Sequence, residues 1–127
     1  MIKRQFTLYL ENKPGMLAQV ARLLAKAKVN IEGISVAEST HTALVQLIVD
    51  NSENARSAME RAKIPFTCQQ VAVLALDHKP GALADLASKL AKEKININFI
   101  YGTAIDDQNR CCLVISANDL KGINRIV

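Results

Sequence analysis

Short stretches of alternating apolar and polar residues mark the predicted β-strands of this chain. Residues 6–10 show the two-residue period of a half-buried strand. A second strand begins at Asn30, a third covers residues 43–49, and a longer strand-like stretch runs over residues 66–76. A polar turn around His41 reverses the chain, so the second and third strands are predicted to form a hairpin.

Apolar residues three and four positions apart mark two helices between these strands. The first helix is predicted to begin after Gly15, and the second to begin at Asn51 or Ser52 and to end at Ile64–Pro65. The resulting order is strand, helix, strand, strand, helix, strand. With the helices on one face of an antiparallel sheet, this is the ferredoxin-like arrangement of the α+β class. The apolar face of the first helix consists of Leu17, Val20, Ala21 and Leu24.

The pattern occurs twice. The segment ENKPGMLA at residues 11–18 returns 66 positions later as DHKPGALA at residues 77–84, and the helix face and the strand at Asn30 return with it. Two repeats are too few for a solenoid, so the chain is predicted to consist of two βαββαβ modules in tandem, residues 1–70 and residues 71–127.

The second module is predicted to lack its last strand. At an offset of 66 positions, that strand would fall at about residues 132–136, after Val127. The first strand of this module would then have an exposed edge, or it would pair with a strand from a partner chain.

Composition and charge narrow the possible functions. The chain has 127 residues, half of them hydrophobic, and a net charge of +4 that is interpreted as the solvated faces of its helices. No apolar run approaches the roughly 18 residues of a membrane span and no signal-peptide core follows Met1, so a cytoplasmic protein without membrane contact is predicted. Three cysteines without metal-ligand spacing are predicted to be reduced thiols, and neither a metal nor a cofactor is expected.

The repeated loop has a chemistry of its own. A strand that runs through Asn-Lys-Pro-Gly directly into a helix places unpaired backbone N–H groups at the loop, where the helix dipole also favours negative charge. Such a helix start can bind a carboxylate. Asn12 and Asn30 each offer a donor and an acceptor, which suits an amino acid that carries an ammonium and a carboxylate group. The alternative is that Pro-Gly only closes the turn and that each asparagine only shapes the backbone.

Neither catalysis nor nucleic-acid binding finds support in the residues. The sequence contains no nucleophile and general base at the spacing of a catalytic motif, and it contains no glycine-rich phosphate-binding loop. The two histidines, His41 and His78, occur in unrelated sequence contexts. The RNA-recognition motif shares the βαββαβ order, but it needs aromatic residues on its central strands, and residues 43–49 contain none. RNA binding is therefore kept only as an alternative.

These residues resemble the ACT-domain family of regulatory modules, and the likeness covers nearly the whole chain as two tandem copies. Residues 10–15 together with Asn30 are similar to the serine-sensing module of phosphoglycerate dehydrogenase, and the same loop is similar to the regulatory subunit of acetolactate synthase. The serine sensor has a histidine where this chain has Leu10 and Leu76, and the second copy has His78 in place of Asn12.

The resemblance implies a non-catalytic regulatory protein that binds a free amino acid where the loop of one module faces the second strand of another. It also implies a homodimer or larger assembly, with an enzyme of amino-acid metabolism as a partner. A pure oligomerisation or regulatory subunit of an amino-acid biosynthetic enzyme is the further alternative. The residues expected to bind the ligand are Glu11, Asn12, Pro14, Gly15, Met16, Leu17, Asn30 and Ile31 in the first copy, and Asp77, His78, Gly81, Ala82, Leu83, Asn96 and Ile97 in the second.

Overall fold

The structure is a computed structural model that describes residues 1–126, without the side chain of residue 104. Val127, the last residue of the second predicted module, lies outside the described residues. The chain forms, in order, β1 (Ile2–Glu11), α1 (Met16–Lys26), β2 (Ile31–Glu38), β3 (Thr42–Val49), α2 (Ser52–Arg61), β4 (Phe66–Asp77), α3 (Ala82–Lys92), β5 (Ile97–Ile105), β6 (Arg110–Ala117) and α4 (Leu120–Ile126).

The first compact unit is Arg4–Gln69. Its strand order is β2-β3-β1-β4, and β3 is antiparallel to both of its neighbours. Alternate residues of β1 and β3 point to the helices, as the two-residue period predicts, and they build a core with α1 and α2. The largest side chains of this core are Phe6, Leu8, Leu24, Leu47 and Met59. The predicted α+β, ferredoxin-like fold is confirmed here.

The second compact unit contains the residues from Gln70 onward together with Met1–Lys3. Its strands follow the order β4-β6-β5, with β6 antiparallel to both neighbours, and α3 and α4 pack on one face. The predicted limits of the modules, residues 1–70 and 71–127, stay a prediction. The compact units differ from these limits at the start of the chain, because Met1–Lys3 belong to the second unit.

Met1–Lys3 occupy the place where the second module was expected to lack a strand. The backbone N–H of Val73 donates to the carbonyl of Met1 at 2.7 Å, and the amino group of Met1 donates to the carbonyl of Val73 at 3.1 Å. After β6 the described chain continues only into α4. The start of β1 therefore flanks β4 in the second unit, so that the edge of β4 at Val73 is paired within the chain.

The two copies differ in the length of their hairpins. Asp50 accepts a hydrogen bond from the backbone of Asn30 at 2.8 Å, and Asn118 accepts the matching bond from Asn96 at 2.9 Å. Asn30 and Asn96 are 66 positions apart, whereas Asp50 and Asn118 are 68 apart. The second hairpin thus contains two additional residues, one in β5 and one in the turn before β6, and the single offset of 66 that was used to place the last strand was wrong beyond this hairpin.

Within residues 1–126, no helix is long and apolar enough to cross a membrane.

Candidate functional site

Both copies begin their first helix from a glycine in the left-handed conformation. Gly15 caps α1 and Gly81 caps α3, each at a φ of 88°. A Cβ atom at either position would meet no other atom within 4 Å, so the requirement for glycine comes from the backbone angle and not from crowding. Because no side chain caps either helix, the first backbone N–H groups of α1 and α3 face the loop without a side-chain acceptor.

The side chains around the two helix starts differ in charge. The first turn of α1 contains no acidic residue, whereas α3 carries Asp85 in its first turn, at the position of Gln19. A carboxylate in the first turn already interacts with the positive end of the helix dipole. The start of α1 is therefore the more open of the two to an external anion.

The loop before α1 is fastened to the β2–β3 hairpin. The side-chain amide of Asn12 donates to Glu38 at 3.2 Å, and the backbone N–H of Asn12 donates to the carbonyl of His41 at 3.2 Å. Glu11 forms an exposed ion pair with Lys13 at 3.1 Å. The amide that the sequence suggested as a ligand contact is thus held in place by an acidic residue that the sequence had not suggested.

The loop before α3 is fastened to its own hairpin by other groups. The backbone N–H of His78 donates to the carbonyl of Asn109 at 3.0 Å, and the side-chain amide of Asn109 donates to the carbonyl of His78 at 3.4 Å.

Asp106 holds the turn of this hairpin together. Its carboxylate accepts hydrogen bonds from the backbone N–H groups of Gln108 and Arg110, at 2.9 Å each. The hydrogen bond from the backbone of Arg110 is the main cause that lowers the pKa of Asp106, and the Arg110 guanidinium adds to it. This turn was not singled out in the sequence analysis, although an acidic residue four positions before an arginine is visible there.

Asn30 and Asn96 stand at the starts of β2 and β5, and both are exposed. Each donates its backbone N–H to a side chain after the next strand, Asp50 or Asn118. The side-chain amide of Asn96 also donates to Asn98 at 3.3 Å.

Neither copy brings its two predicted polar contacts together. Glu11 pairs with Thr42 at the start of β3, whereas Ile31 pairs with Val49 at its end. Asn12 and Asn30 are therefore separated by the length of β3, roughly 23 Å at about 3.3 Å per residue. The same holds in the second copy, where Asp77 pairs with Arg110 and Ile97 pairs with Ala117 at the other end of β6.

The remaining predicted residues divide by burial. Leu17 and Leu83, the second residues of α1 and α3, are large apolar side chains left 42% and 53% exposed. Exposed positions of the two loops and helix starts are Glu11, Asn12, Pro14, Gly15, Asp77, His78 and Gly81; Met16, Ile31 and Ile97 are half-buried, and Ala82 is buried.

Within residues 1–126, no group of three or more histidine, cysteine or acidic side chains is placed to hold a metal ion. None of the three cysteines forms a disulfide there.

Comparison with known proteins gives a family and several structures of the same fold. A family model described as an ACT domain pair matches residues 1–126. The structure is similar to the crystal structure of a protein from Bacteroides thetaiotaomicron, with 26% sequence identity and a TM-score of 0.91 over 99% of this chain and 86% of that one. No curated protein sequence matches the chain.

Two further similar structures are regulatory subunits of aspartate kinase. The one from Thermus thermophilus, in its ligand-free form, has 18% identity and a TM-score of 0.69 over 97% of this chain and 89% of that one. The one from Thermus flavus has 17% identity and a TM-score of 0.66 over 98% of this chain and 89% of that one. At these identities the likeness is one of fold alone.

Proposed function

Since this chain belongs to the ACT-domain family as a pair of ACT domains, we propose that it is a non-catalytic regulatory protein that binds a free amino acid at the repeated helix start. The observation that carries the proposal is the helix start of α1. It combines a left-handed glycine, a loop fixed by the hairpin, uncapped backbone N–H groups and no acidic residue in the first turn. Such a site favours the carboxylate of a ligand.

The ligand's ammonium group needs acceptors, and side-chain oxygens are available in the loop and at the end of β2. Asn12 and Glu38 lie together there, 3.2 Å apart, and both are exposed. A carboxylate bound at the helix start and an ammonium group bound at the Asn12–Glu38 pair would place both charged ends of one amino acid at the loop. The residues proposed to form this site in the first copy are Glu11, Asn12, Pro14, Gly15, Met16 and Leu17; Glu38 is added to them.

Asn30 can join this site only from a second chain. Within one copy it lies at the far end of β3 from Asn12, but in two chains that pair antiparallel through their β2 strands, about a two-fold axis perpendicular to those strands, the Asn12 end of one would lie beside the Asn30 end of the other. β2 and β5 are the outer strands of their units, and they expose Ile34 and Ile100 at 40% and 37%. We therefore expect sedimentation at micromolar concentration to show a dimer or larger species, and a monomer would contradict the site between chains.

The regulated partner is proposed to be an enzyme of amino-acid metabolism. The support is the shared fold with regulatory subunits of aspartate kinase, which names a class of partner and no particular enzyme. A cytoplasmic location is part of the same proposal.

The proposal is tested by a thermal-shift screen of the full chain against the standard amino acids. A ligand at about 100 times its Kd should stabilise the protein by about 2.7 kcal/mol, which is readily measured for a domain of this size. Protection by one amino acid or a few related ones would support the proposal, and equal melting temperatures with all of them at millimolar concentration would contradict it. If RNA binding were the true function, RNA should bind instead, with an affinity that falls steeply with salt.

A further inference from the structure

An apolar groove runs between α1 and α2 in the unit Arg4–Gln69. It consists of two adjoining cavities of about 270 and 300 Å³, which share Leu23 and Ala62 as lining residues. The cavities extend along α1 from Met16 to Ala27, roughly 16 Å at 1.5 Å per residue. That is the length of about three helical turns.

Apolar side chains form the floor of this groove, and small ones on α2 keep it open. Met16, Leu23 and Ile64 are half-buried against the core and turn their remaining surface to the groove. On the α2 side, Ala58 and Ala62 provide only methyl groups. Larger residues at these two positions would have closed the groove.

Two cations border the apolar floor. Lys26 on α1 and Arg61 on α2 line the same cavity and are exposed. In the part of the chain that the structure describes, neither forms an ion pair. Two like charges on one groove repel each other, and an acidic group bound there would remove the repulsion.

The second copy shows that the fold does not require this apolar surface. At the position of Leu23, α3 carries Lys89, and at the position of Ala27 it is followed by Glu93. Both are exposed, and α3 packs on its sheet with these charges in place. A cavity of about 200 Å³ lies at the equivalent place in the second copy, but Asp77, Lys79, Asp85 and Lys89 are among its lining residues, so the apolar lining distinguishes the first copy.

We propose that this groove binds an amphipathic helical segment of a partner protein, with apolar anchors one turn apart and acidic residues beside them. The length of the groove fits about three turns of helix, its floor fits apolar anchors at i, i+3 or i+4 and i+7, and the unpaired cations select acidic flanks. This surface goes beyond the proposed function, because it lies between the helices and needs no bound amino acid; it shares only Met16 with the residues of the proposed ligand site.

The probe for the test is a synthetic, side-chain-stapled helical peptide of about 14 residues, with leucine at the anchor positions and glutamate on both sides. Binding of the fluorescein-labelled peptide to the full chain is followed by anisotropy. We expect the double variant Lys26→Glu/Arg61→Glu to bind it at least about tenfold more weakly and to prefer a version of the peptide in which lysine replaces glutamate. The matched control is Lys89→Glu/Lys92→Glu on α3, which changes the net charge equally and should leave binding unchanged.

A second variant tests the apolar floor without relying on charge. Ala62 is exposed, so Ala62→Trp should fold with an unchanged melting temperature while it fills the groove and abolishes binding. Equal weakening by both charge variants, unchanged binding to Ala62→Trp, equal binding of a peptide with serine at the anchor positions, or no binding at about 1 mM peptide would each overturn the proposal.

Discussion

The two copies share the backbone of their helix starts and differ in the side chains around it. In both, a left-handed glycine at a φ of 88° opens the helix and no side chain caps it. Around this common frame, the first copy has Asn12 and Gln19, whereas the second has His78 and Asp85. The amide of Asn12 and the uncharged first turn of α1 favour binding of a zwitterionic ligand. The imidazole of His78 and the carboxylate of Asp85 in the second copy favour it less.

The copies also close their sheets differently. In the first unit, the start of β4 lies beside β1, and the N–H of Tyr9 donates to the carbonyl of Pro65 at 3.1 Å. In the second unit, the corresponding place lies beside the later part of β4, and Met1–Lys3 from the start of the chain fill it. A repeat can thus keep its fold while the strand that completes it comes from a distant part of the sequence.

The largest expected effect follows from this second difference. Deletion of Met1–Lys3 removes at least two hydrogen bonds from β4 and exposes its edge, and it should destabilise the second unit by about 3 kcal/mol. Hydrogen exchange read by mass spectrometry should show faster exchange in β4, β5 and β6 and little change in β2 and β3. Equal acceleration in both units, or none in either, would show that these residues do not complete the second sheet.

The pairing of Met1–Lys3 with Val73 shows which parts of the fold could be predicted from the sequence and which could not. The two-residue period of residues 6–10 and the repeat of the loop were sufficient to predict the βαββαβ order and the α+β fold, because both are local signals. That Met1–Lys3 would lie beside Val73 could not be predicted in the same way, because backbone pairing across 72 positions leaves no mark in a local pattern.

The candidate site was predictable to a similar degree. The helix start followed from Pro14-Gly15, since glycine just before a helix signals a backbone that other residues avoid. The contact of Asn12 with Glu38 did not follow, because it depends on the register between β2 and β3.

The next largest effect concerns the amide of the first copy. Asn12→Ala should weaken amino-acid binding by about 1.5 to 3 kcal/mol, or roughly ten- to a hundredfold in Kd, because it removes a hydrogen bond to a charged group. The free energy of unfolding should change by less than about 0.5 kcal/mol, since the side chain is exposed. Calorimetry and thermal melts of the same variant measure both quantities.

Glu38→Ala is the companion to this variant, because it removes the other member of the proposed ammonium-binding pair and leaves the amide of Asn12 in place. If the pair binds the ligand's ammonium group, Glu38→Ala should weaken amino-acid binding at least as much as Asn12→Ala, since it removes the charged acceptor of the pair. If Asn12 only shapes the loop, the two variants should lower the melting temperature alike and leave affinity unchanged, and this outcome would remove Asn12 from the site.

A smaller effect should appear when the second copy is given the side chains of the first. His78→Asn/Asp85→Gln reproduces Asn12 and Gln19, and removal of the carboxylate from the start of α3 should strengthen binding there by about 0.3 to 1 kcal/mol, roughly two- to fivefold. Calorimetry on an Asn12→Ala background isolates the second copy, and two sites of equal affinity in the original chain would contradict the weaker binding expected at the second copy.

The smallest effect is expected at the hairpin of the second copy, at acid pH. Hydrogen bonds from the backbone of Arg110 and Gln108 favour the charged form of Asp106, so its pKa is lower in the folded protein than in the unfolded chain. Its contribution to stability is therefore complete above the unfolded pKa of 3.8 and is lost as the pH falls from there through the lower folded pKa.

Because Asp106 is exposed, this loss of stability should stay local. The β5–β6 turn should loosen and release the loop at His78, which is hydrogen-bonded to Asn109. Amide NMR from pH 5 to pH 2 should show the residues of this turn and His78 shifting together in the original chain, and this joint shift should be absent in Asp106→Asn. The first copy provides the internal comparison, because the turn at Ser39 and Thr42 is closed by backbone hydrogen bonds alone and its amides should not follow the titration of Asp106.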